Sequence, residues 1–172
     1  MFRMACLFCA LALALPAQQK KSAPAKPPAG QARPAAESAP HAPSDEGMKA
    51  LEAKDYPSAI AAFERAVAGD GNDYAAHFHL ALAQSLAGRD AEAVPHYRRT
   101  LELKPGLYEA EINLGLLLFR AKDYAGAEPL LKAASEKKPG NPTAVAAYGR
   151  SLLEQNKLAE AEPVLRKAAG LD

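Results

Sequence analysis

Apolar side chains along this chain fall at helical spacing, and the spacing itself recurs. Between Tyr108 and Ala121, the residues Ile112, Leu114, Gly115, Leu116, Leu118 and Phe119 recur at i, i+3, i+4 and i+7, the mark of a helix with one buried face. Lys122-Asp123-Tyr124 interrupts that run. A second run from Tyr124 to Lys137 carries Ala127, Leu130, Leu131 and Ala134 on one face. Pro139-Gly140 closes it, as Pro105-Gly106 closes the run before, because proline cannot continue a helix. Read the same way, the chain predicts helices over 44–54, 57–68, 74–87, 90–103, 108–121, 124–137, 142–155 and 158–169.

The pattern repeats every 34 residues without a gap. Gly47, Ala81, Gly115 and Gly149 form one column, and Ala59, Ala93, Ala127 and Ala161 a second. Phe63, Tyr97, Leu131 and Leu165 form a third, and Ala66, Thr100, Ala134 and Ala168 a fourth. Small residues recur where two helix backbones would approach, and large apolar ones where bulk would fill the space beside them. The expected close contact is between the small residue of the first helix and the alanine of the second. A fixed period of this length predicts stacked copies of one helix pair, with units at about 40–73, 74–107, 108–141 and 142–172.

These residues resemble the tetratricopeptide repeat. The family pattern of a small residue, Tyr, Ala, a large apolar residue, Ala and Pro reads here as Gly115, Tyr124, Ala127, Leu131, Ala134 and Pro139. The first unit matches with Gly47, Tyr56, Ala59, Phe63 and Ala66. The resemblance covers about residues 40–172. It implies an all-α, right-handed solenoid of four tandem helix-turn-helix units, and a binding role rather than an enzyme. Two departures stand out. The family's usual Trp is replaced by His77, Glu111 and Val145, and Pro95, Pro129 and Pro163 fall in the expected first turns of three second helices. Each proline should bend its helix slightly rather than break it.

Residues 1–17 read as a secretory signal: Arg3, an apolar run from Ala5 to Ala14, then Leu15-Pro16-Ala17 before Gln18. Cleavage after Ala17 or after Ala14 would remove Cys6 and Cys9 and leave a mature chain without cysteine. The run is shorter than the roughly 20 residues a bilayer span needs, so no integral span is expected in the mature chain. The expected location is periplasmic or secreted. Residues 18–43 are rich in alanine, proline and lysine, a composition that predicts a disordered linker. Lys20, Lys21, Lys26 and Arg33 against Glu37 give this linker a net charge of +3, whereas residues 44–172 carry −3. A repeat domain with no basic stripe argues against nucleic acid as a partner.

Candidate chemistry is sparse. His77 and His79 are two apart on a helix and face away from each other, and no His-x-x-x-His pair occurs. No glycine-rich phosphate loop or Gly-x-Ser-x-Gly elbow is present. Catalytic residues, metal ligands and cofactors are therefore expected to be absent.

The resemblance instead implies a concave face built from first helices. Its expected binding residues are Phe78, His79 and Leu82, then Glu109, Ile112, Asn113, Leu116 and Arg120, then Arg150. The arrangement by which some relatives clamp a terminal carboxylate is not supported, since only Asn113 falls on one of its positions. The expected partner is a protein or peptide. The alternative is a structural or self-associating role, with a homodimer formed through the C-terminal helix pair around Val164, Leu165, Ala168 and Leu171.

Overall fold

The structure is a computed structural model and describes residues 42–171. The signal segment expected at 1–17 and the linker expected at 18–43, except Ala42 and Pro43, lie outside the described residues. Eight helices follow one another: α1 (Ala42–Glu52), α2 (Tyr56–Gly69), α3 (Tyr74–Leu86), α4 (Asp90–Leu103), α5 (Tyr108–Arg120), α6 (Tyr124–Lys137), α7 (Pro142–Glu154) and α8 (Leu158–Ala169). No strand occurs among the described residues. The chain thus folds as the all-α repeat array that its period predicts. α1 starts earlier than the expected Ser44, because a proline such as Pro43 fits a first helical turn, where its missing N–H is not needed.

Each helix packs on the next in sequence, and α1 also reaches α3 as α5 reaches α7. This is the contact pattern of a solenoid, in which each unit touches only its neighbours. The turns between first and second helices are built alike. Lys54, Gly88, Lys122 and Asn156 have positive φ at 57°, 75°, 63° and 59° and stand one period apart. The next residue's N–H reaches back to the carbonyl of Ala50, Gln84, Leu118 or Leu152 at 2.8–2.9 Å, satisfying a helix-end acceptor. Side-chain caps then start several helices: Asp55 accepts from Ser58 N, Asp73 from Ala75 N and Ala76 N, Asp123 from Gly126 N, and Asn141 from Ala144 N.

The closest contact inside a unit differs from the expected one. The space a Cβ would occupy on Gly47 lies 2.7 Å from the Phe63 ring, that on Gly115 2.7 Å from Leu131 Cδ2, and that on Gly149 2.7 Å from Leu165 Cδ2. The small residue therefore receives the large side chain of the second helix, not the alanine. Helical side chains lean toward their own N-terminus, so the bulky residue reaches back across the gap. The alanines Ala59, Ala93, Ala127 and Ala161 are still buried at 0–1% exposure. Pro95, Pro129 and Pro163 lie deeper than the first turn, yet α4, α6 and α8 run on through them. All three are exposed, as are Ala91, Ala125 and Ala159 four residues before, so water can solvate the orphaned carbonyls.

Two of the positions without the family's Trp hold polar pairs, and the third holds the buried Val145. His77 Nε2 lies 3.2 Å from the Gly71 carbonyl, which can only accept, so the proton sits on Nε2. His77 Nδ1 is then an acceptor for His96 Nδ1–H at 3.1 Å. Glu111, 7% exposed, takes both oxygens to Lys137 Nζ at 2.6 Å, and the same ammonium donates to the Gly106 carbonyl at 2.7 Å. Gln84 is 3% exposed and its Oε1 finds no donor; Leu118 and Leu152 hold its place in the next two units.

Three outcomes follow from this packing. Ala127→Leu should lower stability by about 1–3 kcal/mol, since the site has no room for a larger side chain. Gln84→Leu should raise it by roughly 1 kcal/mol by removing an unsatisfied buried acceptor. Chemical denaturation with a circular-dichroism readout checks both, and an unchanged midpoint for either would contradict the packing described. Burial, helped by His77 and opposed by Glu64, pushes the His96 pKa down, and burial does the same for His79. A depressed folded-state value gives stability that is complete above the unfolded value, about 6.5, and lost as pH falls through the folded one. The melting temperature should fall between pH of about 7.5 and about 5, and His96→Gln should shrink that fall.

Candidate functional site

Three of the five exposed large apolar residues among the described residues lie on first helices. Met48, Leu86 and Leu153, at 38%, 50% and 46% exposure, sit on the first helices α1, α3 and α7. Between α3 and α5 a hollow of about 280 Å³ is lined by Leu82, Ser85, Leu86, Tyr97, Asn113, Leu116, Leu117 and Arg120. Between α5 and α7 a second hollow of about 500 Å³ is lined by Leu116, Phe119, Arg120, Pro142, Thr143, Ala146, Ala147 and Arg150. Leu116 and Arg120 belong to both. The two hollows thus join across α5 into one strip running from α3 to α7. The strip exists because a 34-residue period places the same face of each first helix on the same side.

Of the residues expected from sequence, Leu82, Asn113, Leu116, Arg120 and Arg150 come together on this strip. The others do not join them. Phe78 is half-buried, packs edge-on against Tyr97 with centroids 5.9 Å apart, and lines neither of the joined hollows. His79 stacks on Phe63 at 5.4 Å and lines a separate hollow of about 450 Å³ with Ser44, Asp45, Met48, Asp70, Asp73 and Tyr74. Glu109 is exposed and holds Lys138 Nζ at 3.4 Å. Ile112 is half-buried and lines neither of the joined hollows. Sequence reasoning missed Ser85 and Phe119. Their signal was a further column, Leu51, Ser85, Phe119 and Leu153, one turn beyond the column of Leu82 and Leu116.

Charge is distributed unevenly along the first helices. Arg120 sends both Nε and Nη2 to one oxygen of Asp90, at 3.1 and 2.9 Å. Arg150 is exposed and forms no ion pair among the described residues. The buried Tyr97 hydroxyl faces Ser85 and Asn113, and burial raises its pKa, so it stays a donor. The hollow at α1 and α3 carries Asp45, Asp70 and Asp73 and no Lys or Arg. Among the described residues no group of three or more His, Cys, Asp or Glu is placed to hold a metal ion. No described helix is long and apolar enough to cross a membrane.

Elsewhere, a hollow of about 480 Å³ opens between α4 and α6, lined by Arg98, Leu101, Glu102, Leu114, Leu118, Gly126, Pro129 and Leu130. Gly126 stands where the other units have Ser58, Glu92 and Glu160, and the Asp123 carboxylate lies against the space a Cβ there would take. On α8, Leu165 is spent against Gly149 and Ala168 is 6% exposed, while Leu158 and, just beyond the helix, Leu171 stay exposed at 57% and 36%.

Comparison with known proteins agrees with this architecture. Residues 44–108 and 118–172 each match a family model described as tetratricopeptide repeat, and together the matches span well over half of the chain. No curated protein sequence matches. Similar solved structures include MamA from Desulfovibrio magneticus RS-1, at 21% identity and a TM-score of 0.71 over 76% of this chain and 74% of that one. MamA of AMB-1 is similar at 25% identity and a TM-score of 0.70, covering 76% and 71% of the two chains. YrrB, a TPR protein with an unusual peptide-binding site, is similar at 21% identity and a TM-score of 0.69, covering 76% and 68%. With four helix pairs in one register, the small residue and the alanine of each unit in their columns and both family matches on the repeats, the chain belongs to the tetratricopeptide repeat family.

Proposed function

We propose that this protein is a non-catalytic interaction scaffold of the cell envelope that binds a polypeptide along the inner face of α3, α5 and α7. The observation that carries the reading is the pair of hollows joined at Leu116 and Arg120. Their floor is apolar, from Leu82, Leu86, Leu116, Phe119, Ala146 and Ala147. Their edges carry the Asn113 amide, which both donates and accepts, and two guanidinium groups. Apolar anchors with a polar rim suit an extended peptide or an amphipathic helix. Rigid stacked helices supply the shape in advance, which lowers the ordering cost of binding. The envelope location rests on the leader read from residues 1–17. Self-association through the last helix pair is the second reading, and the exposure of Leu158 and Leu171 is what favours it.

The test uses the protein lacking residues 1–17, immobilised and panned with a random-peptide phage library. Asn113→Ala combined with Arg150→Ala should reduce capture of the enriched peptides about tenfold, the factor of 1.4 kcal/mol, without changing helicity. Equal capture by parent and double variant would move binding to another surface.

A further inference from the structure

The strip has a charge direction, and that direction selects its occupant. We infer that the groove takes an acidic peptide, with apolar residues over Leu86 and Leu116 and an Asp or Glu side chain on Arg150. This rests on the groove reading above and adds the chemistry of the partner.

Three features of the site support it. Arg150 projects from α7 beside Ala146 and Ala147, is exposed, and has no carboxylate partner among the described residues. A planar guanidinium of this kind offers two parallel donors to an incoming carboxylate. The second guanidinium of the same hollow, Arg120, binds Asp90 through Nε and Nη2 only, so Nη1 is left for another acceptor. Pro142 and Thr143, which line the same hollow, are the first turn of α7, where the helix end favours negative charge.

The other end of the first-helix face disfavours the reverse arrangement. Asp45, Asp70 and Asp73 line the hollow at α1 and α3 together with His79, and the cations at its rim donate to neutral groups there, Arg99 to Asn72 and Lys104 to the Tyr74 hydroxyl. An acidic peptide lying the other way round would place like charges together, which is costly. The acidic end of the occupant therefore lies at α5 and α7, and its course toward α1 is neutral or basic. A basic peptide, by contrast, would have to leave Arg150 facing its own charge.

The same phage library separates this inference from the groove reading. Peptides enriched on the parent protein should carry an excess of Asp and Glu. Arg150→Glu, a change at an exposed position, should weaken them about tenfold and turn the enrichment toward Lys and Arg. Enrichment without acidic bias, or an acidic bias that survives Arg150→Glu, would overturn the inference while leaving the groove reading in place. Leu86→Glu, also exposed, should abolish enrichment whatever the peptide charge. If no peptide is enriched, or if enrichment survives Leu86→Glu, the groove reading falls and this inference with it.

Discussion

Everything in this molecule depends on how closely two helices can approach inside one unit. At Gly47, Gly115 and Gly149 an added Cβ would lie 2.7 Å from a large side chain of the partner helix, which would have to shift. The bulky residue is at once the anchor of its own unit and the filler of the gap. In the second unit Ala81 and Tyr97 take these places, both at 0–1% exposure. Once each pair is locked in this way, the 34-residue period carries the same geometry forward. The inner faces of α3, α5 and α7 then align, and a continuous strip results without any residue being selected for position in isolation.

Much of the fold was legible in the sequence because it is written four times. Helix boundaries were read from Pro-Gly closures and from Asp-Tyr pairs, and most fall within one or two residues of the observed ends. What could not be read was which side chain meets the small residue. Spacing places Ala127 and Leu131 on one face of α6 but does not say which of them crosses to Gly115. The polar pairs at the missing Trp positions were hidden for a related reason. His77 was weighed against His79, its neighbour in sequence, whereas its partner His96 lies on the next helix. The tolerance of Pro95, Pro129 and Pro163 rests on the exposure of the carbonyls they orphan, and exposure is a tertiary property.

The groove was half legible. Register put Leu82, Asn113, Leu116, Arg120 and Arg150 on the inner side, and the structure brings these into adjoining hollows. Register alone could not separate that side from the core. Phe78 shares its position with Ile112, and neither lines the hollows; Phe78 packs on Tyr97 instead. Nor could it reveal that His79 would be taken up by Phe63. The hollow between α4 and α6 includes one departure from its column, Gly126, and the period shows that departure but not the hollow. It is largely apolar and of comparable size to the groove hollows, so it is a rival surface among the described residues.

Nuclear magnetic resonance on the isotopically labelled protein, titrated with a peptide enriched from the library, decides between them most directly. Binding on the first-helix face predicts amide shift changes clustered at Leu82, Leu86, Asn113, Leu116, Ala146 and Arg150. Changes clustered instead at Leu101, Gly126 and Leu130, with the first-helix amides unmoved, would contradict it.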